Sequence, residues 1–96
     1  MPNERTLEDR GWPDEEVRRL VERAQGGDRE ARDQLVEGNL RLVRSLVGRF
    51  GSTSADPEDL FQLGCIGLLK AIDRFDPQRG ASFISFAELV IKRRLV

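Results

Sequence analysis

The sequence predicts an all-α domain, a small helical bundle of about four helices, on three observations. Apolar residues recur at i, i+3, i+4 and i+7 in successive stretches, the period of a helix that buries one face. Good helix-capping residues precede these stretches, and small or turn-forming residues separate them. No stretch alternates apolar with polar residues as a half-buried strand does. Ninety-six residues make one domain at most, and 39% hydrophobic with 34% charged residues fits a folded chain rather than a disordered one.

Residues 1–12 show no convincing period and read as a flexible N-terminal tail, leaving 13–96 for the helical domain. The first helix opens at Trp12-Pro13-Asp14-Glu15-Glu16, with Asp14 as its expected cap and Trp12 packed back onto it. Val17, Leu20, Val21 and Ala24 make a single apolar stripe, and Gln25-Gly26-Gly27 ends the helix. Asp28 caps a second segment that continues to about Phe50. Leu35, Val36, Leu40, Leu42, Val43, Leu46, Val47 and Phe50 give it a broad apolar face. Gly38 falls inside the pattern at a cost of about 1 kcal/mol against alanine, so a kink or short break is allowed near Gly38-Asn39. Arg41, Arg44 and Arg49 turn outward and are expected to be solvated or paired with the acidic helix before them.

Gly51-Ser52-Thr53-Ser54-Ala55 is a linker of small residues into the central helix, whose start is chemically explicit. Asp56 is a good cap, Pro57 suits the first helical position, and Glu58 and Asp59 favour the positive end of the helix dipole. Leu60, Phe61, Gly64, Leu68, Ala71, Ile72 and Phe75 gather on one face. The opposite face carries Asp59, Gln62, Ile66, Leu69 and Asp73, which mixes polar groups with two bulky aliphatics. A chain this short can hardly sandwich such a helix completely, so something outside the domain is expected to cover the second face. Gly64 and Gly67 interrupt a helical period and are expected to admit another helix at close range.

Asp76-Pro77-Gln78-Arg79-Gly80 is a turn by composition. The last helix starts between Ser82 and Ser85, with Phe83, Phe86, Ala87, Val90 and Ile91 on one face and Ser85, Glu88, Leu89 and Lys92 looking away. The pattern reaches Val96 without a stop signal, which reads as a piece of a longer protein or a fragment whose helix frays.

Several function classes are excluded by absence. The chain has no histidine and one cysteine, Cys65, which removes the usual zinc sets, a Cys–His nucleophile pair and internal disulfides. No cofactor or metal is expected, and the carboxylates fall on exposed helix faces and caps rather than in a catalytic pair. Gly64 and Gly67 make no phosphate-cradling loop, since no Gly-Lys-Ser/Thr follows. Cys65, at the border of the two faces, reads as a small packing residue. The start of the chain lacks the apolar run of a signal peptide and no run spans a membrane, so a non-enzymatic, cytoplasmic protein with no membrane partner is expected. Net charge is −1, but residues 1–59 hold 14 acidic and 10 basic groups while 60–96 hold 3 and 6. The C-terminal end could therefore meet a polyanion that the N-terminal part would repel.

Asn39-Leu40-Arg41-Leu42-Val43-Arg44-Ser45-Leu46-Val47, the run from Glu58 to Asp76, and Phe83-Ile84-Ser85-Phe86-Ala87 together resemble the second conserved region of bacterial sigma-70-family factors. The central run is most similar to sporulation sigma factors, and the resemblance covers residues 14–96. It implies an all-helical domain that joins core RNA polymerase and opens promoter DNA at the −10 element. Transferred onto this sequence, the surface that docks on the β′ clamp helices comprises Asp59, Gln62, Ile66 and Leu69, with Leu63 and Cys65 at its edge. Phe86 falls where the family captures a flipped −10 base, and Lys92 and Arg93 where basic residues approach the DNA backbone. Leu89 and Val90 stand where housekeeping members have two tryptophans, which weakens the strand-separating wedge. A core aromatic is the competing reading of Phe86. A second class of role is a regulatory module that binds an anti-sigma factor, as a decoy or as half of a split sigma factor. An independent DNA-binding protein would need salt-dependent binding that a net charge of −1 disfavours.

Overall fold

Side-chain caps decide where the helices begin. Asp28 Oδ1 accepts from the Ala31 amide at 3.2 Å, Asp56 Oδ1 from Glu58 at 2.9 Å, and Ser82 Oγ from Ser85 at 3.1 Å. Each satisfies an amide that the first turn leaves unpaired. The computed structural model describes residues 14–96, with α1 over Asp14–Gln25, α2 over Arg29–Glu37, α3 over Leu40–Phe50, α4 over Pro57–Arg74 and α5 over Phe83–Leu95. A short 3₁₀ turn, Pro77–Arg79, links the last two. The expected tail and the packing of Trp12 lie outside the described residues.

The described residues are all-α as expected, and they form five α-helices because the second segment divides at Gly38-Asn39. Gly38 closes α2, its amide donating to the Gln34 carbonyl at 2.9 Å while the Asn39 amide donates to the Val36 carbonyl at 3.0 Å. Asn39 leaves the helical path at φ −119° and ψ 9°. Its buried side chain stays at the break by donating to the Leu35 carbonyl at 2.7 Å. Asp14 is the first helical residue of α1 rather than its cap. At the other end of α1, Gly27 takes a φ of 103°, open to glycine at no steric cost, and the Asp28 amide returns to the Arg23 carbonyl at 2.9 Å. The Arg23 guanidinium also bonds the Asp28 carboxylate, holding its pKa below the usual value, with the Ala31 amide adding to the effect.

Most of the core comes from the predicted stripes, with Ala31 and Leu95 added and Val36, Leu40, Val47, Phe50, Phe61, Phe86 and Val90 only half-buried at its edge. Val17, Leu20, Val21 and Ala24 from α1 are all buried, as are Leu42, Val43 and Leu46 from α3. From the last two helices come Leu60, Leu68, Ala71 and Ile72, then Phe83, Ala87, Ile91 and Leu95. The two interior glycines of α4 bring its neighbours close. A Cβ on Gly64 would stand 2.6 Å from Val43 Cγ1 of α3, and one on Gly67 would stand 3.0 Å from Ile91 Cα of α5. That proximity explains why two helix-breaking residues sit in the middle of the longest helix.

Candidate interaction surfaces on α4 and α5

The outward face of α4 is where the domain fails to cover itself. Asp59, Gln62, Leu63 and Ile66 are exposed, and Cys65 and Leu69 are half-buried beside them. Leu63 is 39% and Ile66 42% exposed, and they are two of only four large hydrophobic side chains so exposed among the described residues. Because they lie three residues apart on a helix, they form one apolar patch rather than two isolated contacts. The structure thus gathers all six residues expected on this surface. Partial burial pushes the Cys65 thiol pKa up, against a weaker opposing pull from Arg44, which leaves a neutral packing residue rather than a nucleophile. Arg44 marks the flank: its guanidinium lies 3.9 Å from the centre of the Phe61 ring and its Nη1 3.6 Å from Glu58. The expected pairing of Arg44 with the preceding acidic helix is therefore wrong. The break at Gly38-Asn39 starts α3 as a separate helix, and the carboxylate within reach is on α4.

The four residues expected to meet DNA divide between two flanks of α5. Phe86 is half-buried with its ring 5.8 Å from that of Phe75, which in turn meets Phe83 edge-on at 5.5 Å. Phe86 is therefore part of the aromatic cluster and also lines an open cavity of about 570 Å³ with Arg74, Asp76, Arg79 and Ala81. Its two readings describe two faces of one ring. A smaller cleft joins Phe86 to Val90, Lys70, Arg74, Arg93 and Arg94. Leu89, 46% exposed, and Lys92 lie on the other flank, in a groove with Leu46, Arg49 and Phe50. There Lys92 Nζ sits 4.7 Å from the Phe50 ring centre.

Sequence reasoning missed Lys70 and Arg74 on α4, Arg94 on α5, and the Arg49-Phe50 pair. One signal could have found Lys70 and Arg74: they are spaced i and i+4 and so share one face of α4. The Arg49-Phe50 groove needed the crossing of α3 with α5, which no local pattern reports.

Residues 35–96 match the family Sigma-70 region 2. The chain belongs to that family. It is similar to the RNA polymerase sigma-F factor of Bacillus subtilis (strain 168), with 50% identity over 74 residues, which is 77% of this chain and 29% of the relative. It is 49% identical over 74 residues to the RNA polymerase sigma-G factor of the same strain, 76% of this chain and 28% of the relative. A putative RNA polymerase sigma-G factor of Bacillus thuringiensis subsp. kurstaki is 48% identical over 73 residues and is covered to 58%. The chain thus spans less than a third of the sigma-F relative's length. The matched span contains α3, α4 and α5 whole, so both surfaces are region 2 surfaces. Among the described residues no helix is long and apolar enough to cross a membrane.

Proposed function

We propose that this chain is the core-binding part of a sporulation- or stress-type sigma factor, acting in the cytoplasm and without catalysis of its own. The observation that carries the reading is the apolar patch on α4. Leu63 and Ile66 are ringed by Asp59, Gln62, Cys65 and Leu69, within a region 2 match to RNA polymerase sigma-F and sigma-G factors. That patch docks on the β′ clamp helices of core RNA polymerase, where an apolar centre with a polar rim suits a coiled-coil partner. An anti-sigma factor competing for this chain occludes the same face. The flank of α5 bearing Phe86 and Arg93 faces the non-template strand of the −10 element. Leu89 and Lys92 meet the adjoining DNA on the other flank, a weaker wedge than a pair of tryptophans.

Pull-down of the purified chain with β′ clamp helices tests the reading. Gln62→Ala combined with Ile66→Ala weakens capture, each truncation removing about 1 kcal/mol or more if both are anchors. Unchanged capture by a variant that melts like the parent would refute the assignment of this face.

A further inference from the structure

The α1–α2 hairpin lies almost wholly before the region 2 match, yet it holds the connection between α4 and α5 at three points. The Gln25 side-chain amide donates to two main-chain carbonyls, Ile72 and Phe75, each at 2.9 Å. Arg18 Nη2 donates to the Pro77 carbonyl at 3.2 Å, and Arg32 Nη1 bonds Asp73 Oδ1 at 2.8 Å. The last carbonyls of a helix have no partner within it, so Gln25 supplies from α1 what the end of α4 lacks. Phe75, whose carbonyl it holds, carries the ring on which Phe86 rests. Pro77, held by Arg18, opens the turn whose Arg79 forms a wall of the 570 Å³ cavity.

We propose that Gln25, assisted by Arg18, is a positioning residue that fixes the Phe75–Arg79 segment and so shapes the Phe86 cavity for an unstacked base of single-stranded promoter DNA. The ligand class rests on the proposed function, whereas the brace itself rests only on the geometry above. Gln25 does not itself line the cavity and acts through backbone, including that of Phe75, which does line it. Two donors from one side chain to carbonyls three residues apart fix both the end of α4 and the direction of the exit. An ordinary surface glutamine does neither.

Two substitutions of similar reach separate the brace from plain stability. Gln25→Glu keeps size but sets an acceptor against two carbonyl oxygens at the negative end of a helix, while Gln25→Lys keeps donors there. NMR spectra of the chain should show Gln25→Glu moving the resonances of Phe75, Ala81 and Phe86, with Leu63 and Ile66 in place. Gln25→Lys should return them. Unmoved cavity resonances, or equal movement on both faces, would overturn the brace. In complex with core polymerase, Gln25→Glu should capture a single-stranded −10 oligonucleotide about fivefold more weakly, the worth of roughly one hydrogen bond, with core affinity within about twofold. Equal loss of both affinities, or no loss of oligonucleotide capture, would overturn the positioning role. Failure of the unaltered complex to capture the oligonucleotide sinks the DNA reading alone, and the NMR comparison still decides the brace.

Discussion

The two faces of α4 are built from similar residues and do opposite things. Leu68, Ala71 and Ile72 on the inner face are wholly excluded from solvent, while Leu63 and Ile66 on the outer face keep roughly two fifths of their surface in water. The inner face also spends two glycines on close approach, so that Val43 and the backbone of α5 fill the space where side chains would stand. The outer face has no such accommodation, and its apolar groups stand among Asp59 and Gln62 at the surface. Hydrophobicity alone does not distinguish the covered stripe from the uncovered one. The glycines do: they appear where the helix is gripped by its own chain and are absent from the face left in solvent.

The largest expected effect breaks the comparison at its strongest side. Leu68→Ala removes a fully buried side chain from the interface of α4 with the rest of the bundle, and should cost about 2–5 kcal/mol of unfolding free energy. For a small domain that is a large share of total stability. Chemical denaturation followed by far-UV circular dichroism checks it, and a loss below about 1 kcal/mol would mean that the inner face is much looser than drawn here.

A smaller effect tests the glycine argument through its sign. Alanine is preferred over glycine in a helix by about 1 kcal/mol, so a glycine replaced in open space should stabilise. Gly48 in α3 has nothing within 4 Å of its would-be Cβ, and Gly48→Ala should gain roughly 0.5–1 kcal/mol. At Gly67 the same methyl meets Ile91 Cα at 3.0 Å, backbone that cannot rotate away, with the Val90 carbonyl oxygen at 3.4 Å. Gly67→Ala should therefore lose about 1 kcal/mol despite its better propensity, because overpacking a tight interface outweighs it. Denaturant midpoints of the two variants should move in opposite directions. A shift of both the same way would remove the special status of the inner face.

Most of the inner face was legible in the sequence because burial has a period. Leu60, Gly64, Leu68, Ala71, Ile72 and Phe75 could be named from spacing, with Phe61 of the same stripe only half-buried, and the caps Asp28 and Asp56 from residue type, whereas the start of the last helix was legible only as lying between Ser82 and Ser85. The outward face was legible for the complementary reason: Ile66 and Leu69 fell where the same period demands polar groups. What the period could not report were relations between helices. The break at Asn39 was only allowed, since its buried bond to the Leu35 carbonyl depends on the site being closed over. The partner of Arg44, the Gln25 brace and the Arg49-Phe50 groove each join residues whose proximity follows from packing. The split of the expected DNA residues has the same origin: successive positions on α5 face different neighbours once α3 and α4 are in place.

The smallest expected effect falls on the outer face and completes the contrast. Ile66 is 42% exposed, so its truncation removes only part of the burial that an inner aliphatic contributes, and no enclosed cavity is left because solvent fills the space. Isoleucine is also a poorer helix former than alanine, since its branched Cβ loses rotamer freedom against the preceding turn. These two terms oppose each other. Ile66→Ala should then leave the unfolding free energy within about 0.5 kcal/mol of the parent, the range of surface substitutions. A thermal melt measures it, and the variant belongs beside Leu68→Ala, two positions away on the same helix. A loss comparable with that of Leu68→Ala would show Ile66 to be a core residue and leave α4 with no free apolar face. A near-silent change in stability, joined to weakened clamp-helix capture, would show that the residue is retained for the partner and not for the fold.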